Sequence, residues 1–137
     1  MIVTGKIPKR HLSAIHFFAE QLFTPQKRRH LYLNVKYRKK MDYLGLASVE
    51  DYNVLGTPNS FLIEICRNTE EEMLKSLAHE LVHVLQYSRG ELNEQMTLWR
   101  GRKINADEIP YFEQPWEQEA IKLEQKLYDA FLASEAR

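Results

Sequence analysis

One stretch limits the folds open to this chain more than any other: "NTEEEMLKSLAHELVHVLQYSRG", residues 68–90. Asn68 or Thr69 can cap a helix here, and Glu70, Glu71 and Glu72 suit the positive end of its dipole. Gly90 ends it. Leu74, Leu77, Leu81 and Leu85 recur at three- and four-residue steps, and Ala78, Val82 and Val84 spread the apolar arc over most of the circumference. Such a helix has to be wrapped by other elements rather than laid on a surface. Its remaining arc carries Glu72, Ser76, His79, His83 and Gln86. Polar groups in a buried helix need partners or a cleft.

The wrapping has to come from a single domain, because 137 residues (1–137) are one domain's worth of chain. Pro8 followed by "KRHLSAIHFFAEQLF" predicts an N-terminal helix with Leu12, Ile15, Phe18, Ala19 and Leu22 on its stripe, stopped by Thr24-Pro25. His11 and His16 are five residues apart and do not share a face, so they read as ordinary helix histidines. "HLYLNVKYR" (30–38), "YLGLASVEDY" (43–52) and "SFLIEICR" (60–67) have strand chemistry, and "NVLGTPNS" has that of a turn. They predict a small, mostly antiparallel three-stranded sheet. Pro115 opens a last helix whose stripe is Trp116, Ala120, Leu123, Leu127 and Phe131. The order of elements predicts an α+β fold.

Several classes drop out on composition. A hydrophobic content of 44% with 28% charged residues is that of a globular chain, not a disordered one. No apolar run nears the length of a membrane span, and His16 and Glu20 interrupt the one stretch that resembles a secretory signal. The single cysteine, Cys66, has no internal partner and is expected as a buried thiol; a cytoplasmic location is expected. Charge is unevenly spread: residues 1–40 carry a net +9 and residues 41–137 a net −9. Basic residues within 26–40 could face nucleic acid, or the two halves could fold together and cancel.

His79 and His83 are separated by one helical turn, about 40° apart on the wheel, so two imidazoles can converge on one cation. With Glu80 they spell H-E-x-x-H, mid-helix and flanked by apolar residues. Neutral imidazoles bind Zn²⁺ well, and three protein ligands leave a position for water. Zinc lowers that water's pKa to about 7, and Glu80 is placed to act as general base, passing the proton on to a leaving amine. The chemistry expected is metal-assisted hydrolysis of an amide, a peptide bond in a protein or peptide substrate. The third ligand is open on spacing alone. Glu117 and Glu119 flank the last helix's stripe on opposite sides, and Glu124 is a further acid there.

"HELVHVLQY", "LWRG" (98–101) and "PYFEQPWEQEA" (110–120) together resemble the small single-domain H-E-x-x-H metallopeptidase-like proteins of phages and bacteria called SprT-like. The resemblance covers about 45 residues. It implies a minimal zincin-like domain: N-terminal helix, short sheet, metal helix and a closing helix that carries the third ligand. In the broader gluzincin group that ligand is a glutamate, which falls here on Glu117, with Ala120 as the small residue facing the metal helix. Relatives that use a third histidine are a poorer match, since no histidine follows His83. Ile121 stands where those relatives often carry an aspartate. The resemblance also implies an edge strand along the cleft, for which "SFLIEIC" is the candidate, and residues 91–114 are long enough to cover that cleft. Tyr87, Tyr111, Arg100 and Arg102 are candidate oxyanion donors. The reading is a zinc-dependent peptidase. Its alternatives are a DNA-associated protease or adaptor and a zinc-stabilised binding protein without catalysis.

Overall fold

The computed structural model describes residues 1–137. The elements follow as β1 (Ile2–Thr4), α1 (Lys9–Leu22), α2 (Pro25–Arg29), β2 (Tyr32–Arg38), β3 (Gly45–Tyr52), β4 (Pro58–Cys66), α3 (Glu70–Ser88), β5 (Leu98–Trp99), β6 (Arg102–Lys103) and α4 (Pro115–Glu135). Short 3-10 turns at Ala106–Glu108 and Tyr111–Glu113 lead into α4. The fold is α+β, as expected.

The sheet differs from the expectation. It has four strands in the order β1-β2-β4-β3, with β1–β2 and β2–β4 parallel and only β3–β4 antiparallel. The chain therefore begins with a strand, not a helix. A three-residue strand is too short to show a period. Its place is secured by Gly5, whose φ of +124° no side chain tolerates well and where a Cβ would lie 2.2 Å from the Val35 carbonyl oxygen. The strand order also overturns the edge assignment. The β4 strand, with Phe61, Ile63 and Ile65 buried on one face, is central, and β3 forms the edge. A long apolar strand gains most where both neighbours cover it. Cys66 closes β4 partly exposed rather than buried.

One face of the sheet, bearing Leu33, Val35, Ala47, Phe61, Ile63 and Ile65, joins a single core with the helices. The third helix packs on β3 and β4, and α1 and α4 pack on α3. Surrounded in this way, α3 buries every residue from Ser76 to Tyr87. Thr69 caps it by accepting from the Glu72 N–H. The α4 stripe buries Trp116, Ala120, Leu127 and Phe131 as expected. On α1 the buried set is His11, Ala14, Ile15, Phe18 and Ala19, which rotates the predicted stripe to take in a histidine. No helix is long and apolar enough to cross a membrane.

Candidate metal centre

His79 and His83 project from the middle of α3 toward the first turn of α4, where Glu117 meets them. Glu117 Oε1 lies 2.9 Å from Nε2 of each histidine, and the two Nε2 atoms are 3.1 Å apart. All three residues are buried, at 7–9% exposed. Their ligand atoms lie within 4.8 Å of one another, so this His-His-Glu group could hold a metal ion.

The outer partners decide what the inner atoms carry. Nδ1 of His79 faces Glu124 Oε1 at 2.9 Å, and a carboxylate only accepts. Nδ1 of His83 is 2.7 Å from Gln86 Oε1. The Gln86 amide nitrogen donates to the Trp116 carbonyl and to Glu119 Oε1, each at 3.0 Å, which leaves its oxygen to accept from His83. When the rings are neutral, both Nδ1 atoms therefore hold the proton and both Nε2 atoms present lone pairs. A carboxylate oxygen and two imidazole lone pairs then converge with no donor among them. That donor set suits a cation, and zinc accepts such a set in a His₂Glu site.

Electrostatics point the same way. Burial disfavours a charged His79, but its hydrogen bonds to Glu117 and Glu124 outweigh this and raise its pKa to about 10. His83 is raised too, against burial, chiefly by its bond to Glu117. Burial pushes Glu117 up, yet the two imidazoles bring it down to about 2. Positive charge is wanted at this point, and protons supply it where a metal does not.

Glu80 is also buried but has no hydrogen-bond partner; burial raises its pKa, opposed by the charges of His83 and His79. It abuts the start of β3. A methyl group on Gly45 would come 2.9 Å from Glu80 Oε2 and 3.1 Å from its Cγ. The absent side chain is what lets the carboxylate sit between helix and strand. Tyr111, on the turn before α4, places its hydroxyl 3.3 Å from Glu117 Oε1. Its pKa is raised by burial and by the Glu117 charge, so the phenol keeps its proton.

These groups line one cleft of about 840 Å³, walled by α3, β3 and the segment 91–114, which supplies Met96, Asp107, Tyr111 and Phe112. Tyr87 lines it as well but stacks on Phe61. The other acids of α4 separate. Glu119 turns to Gln86 and to Arg100, whose NH2 is 2.9 Å from Glu119 Oε2 and whose Nε reaches Glu91. Arg100 is thereby occupied, and Arg102 lies exposed on β6. Glu124, two turns beyond Glu117, supports His79, while Ile121 lies at the cleft mouth. The roles of Gln86 and Glu124 went unseen in the sequence, whereas Tyr111 was among the candidate oxyanion donors. The available signal was spacing: Gln86 is one turn past His83, and Glu124 shares a helix face with Glu117.

The basic residues lie elsewhere. Lys27, Arg28 and Arg29 belong to α2, before β2, and Lys39 and Lys40 follow that seven-residue strand. Arg38 pairs with Glu64 at 2.9 Å. No lysine or arginine lines the cleft. No protein-family model, curated protein or solved structure was found to match this chain.

Proposed function

We propose that the chain is a zinc-dependent peptidase of the gluzincin-like, SprT-like kind, with His79, His83 and Glu117 as ligands and Glu80 as general base. The observation that carries this reading is the unpartnered, buried Glu80 carboxylate facing the same cleft as three convergent lone-pair atoms. Zinc bound there supplies a Lewis acid and makes water acidic near neutral pH. Glu80 would take a proton from water held in the cleft and return it to the departing amine, which needs a carboxylate free of other bonds. Burial raises its pKa, which strengthens it as a proton acceptor. Glu124 and Gln86 fix the two imidazoles in the tautomer that leaves Nε2 free. Tyr111, a neutral donor beside Glu117, stabilises the oxyanion as the carbonyl is attacked. The long cleft beside the edge strand β3 accommodates an extended chain.

Glu80→Gln separates catalysis from a merely structural metal. The variant is expected to bind one zinc per chain by elemental analysis while peptide hydrolysis falls by a thousandfold or more, about 4 kcal/mol of barrier. Hydrolysis undiminished in Glu80→Gln would remove Glu80 as base. A wild type that binds zinc and cuts nothing in a broad peptide panel would leave a zinc-stabilised binding protein.

A further inference from the structure

Twelve large apolar side chains stand exposed on the molecule, and half of them, Tyr43, Leu44, Leu46, Tyr111, Phe112 and Ile121, line the cleft that holds the histidines. They come from the approach to β3, from β3 itself, from the second 3-10 turn and from α4. Exposed apolar side chains scattered singly need no explanation, but a set gathered on one cleft does.

The charge of the lining is equally one-sided. None of the 19 lysines and arginines reaches it, whereas Glu72, Glu80, Asp107, Glu117 and Glu124 do. Glu117 and Glu124 are engaged by the histidines. Glu80, only 5% exposed, points in without a partner. The nearest cation on α3, Lys75, turns instead to Glu71 and to the face of Tyr128, which leaves Glu72 unpaired. Glu72 precedes His79 by seven residues on α3, about 10 Å along the axis. An extended chain covers that distance in about three residues.

We infer that the cleft selects an extended polypeptide segment that carries a large apolar or aromatic side chain at the histidine site and, about three residues from that point, a lysine or arginine that reaches Glu72. This deepens the peptidase reading and rests on it. The apolar rim takes the hydrophobic side chain out of water, and Glu72, with Asp107 across the cleft, attracts the cation and repels acidic segments. A free N-terminal amine carries the same charge, but the distance to Glu72 favours a side chain well away from the reacting bond.

The test reads binding without turnover, using the zinc-loaded Glu80→Gln protein and fluorescent peptides in an anisotropy titration. An acetylated peptide with Phe and Arg three residues apart is expected to bind about tenfold tighter than its Phe/Glu and Ser/Arg counterparts. Glu72→Gln, added to that protein, is expected to erase most of the Arg-over-Glu advantage. Equal affinity for the Arg and Glu peptides overturns the inference. So does tighter binding of a free-amine Phe peptide lacking Arg. Wild-type protein incubated with a peptide library and read by mass spectrometry supplies the second arm. Cleavage without enrichment of basic and apolar residues overturns the inference and leaves the peptidase. The binding preference without any cleavage supports the inference for the cleft and removes the peptidase.

Discussion

Two clusters of buried histidine sit on α3 and its neighbours, and they are built in opposite ways. At the N-terminal end of α3, His11 from α1 has Nε2 2.6 Å from Glu70 Oε1 and Nδ1 2.7 Å from the Tyr37 hydroxyl. One ring nitrogen donates to the carboxylate and the other accepts from the phenol, so every proton has an acceptor. Burial and the nearby Glu70 charge raise Tyr37 to about 12, which keeps that phenol protonated and donating. The cluster is closed. Around His79 and His83 the outer nitrogens are satisfied in the same manner, but the inner ones converge on each other and on one carboxylate, and only a charged ring has a proton to share there. Burial is nearly equal, at 1% exposed for His11 and 7–9% for the other two. What separates a structural histidine from a candidate ligand is the second nitrogen's partner, not its depth.

The largest break in this comparison should come from deleting a histidine on each side. His83→Ala is expected to weaken zinc binding by about a thousandfold or more, since two remaining ligands rarely retain the ion against a chelator. His11→Ala should leave zinc affinity unchanged in the same competition assay and instead lower stability by about 2–3 kcal/mol in urea unfolding, because Glu70 and Tyr37 lose their partner. If His11→Ala released zinc, the two clusters would not be independent. A smaller effect is expected one bond further out. Gln86→Leu removes the acceptor that fixes the His83 tautomer and should cost about ten- to a hundredfold in zinc affinity. Glu119→Gln, which keeps an oxygen for Gln86 to donate to, should change zinc stoichiometry not at all. Loss of zinc there with retention in Glu117→Gln would reassign the third ligand.

The smallest effect is a matter of pH. Glu70 is held below the usual carboxylate range chiefly by the hydrogen bond from His11, with Arg10 adding to it. A carboxylate lowered on folding contributes stability that is complete above its unfolded pKa and is lost as pH falls through the folded value. Thermal unfolding of the wild type should therefore decline below about pH 4.5 more steeply than that of Glu70→Gln. Parallel pH profiles would show that the bond contributes nothing through Glu70's charge.

How much of this was legible beforehand depends on how local each feature is. The His79–Glu80–His83 face follows from spacing within one helix, and the apolar circumference of α3 implied its burial. Glu117 and Glu119 flank the same stripe, and no property of α4 alone distinguishes them; that choice is made by where α4 docks. His11 looked ordinary because its two partners lie 26 and 59 residues away along the chain. The parallel pairing of β2 with β4 was hidden for the same reason. The turn chemistry between β3 and β4 announces their hairpin, whereas nothing in β2 states which of them it will neighbour.

The closed cluster has one more member. Arg10 binds Glu70 in the first turn of α3 and Glu135 in the last turn of α4, at 3.1 and 2.8 Å. Glu117 lies in the opposite end turn of α4, roughly 27 Å away by helical rise. The two helices run antiparallel, tied at one end by Arg10 and toward the other by the contact of Glu117 with His79 and His83. Sliding α4 by a single residue would move Glu117 by about 1.5 Å, enough to spoil a ligand position. The arginine thus bridges α3 and α4 at the end remote from the His-His-Glu group. Such exposed pairs weaken with salt, so high ionic strength is expected to loosen that end of the helix pair while leaving the His-His-Glu end in contact.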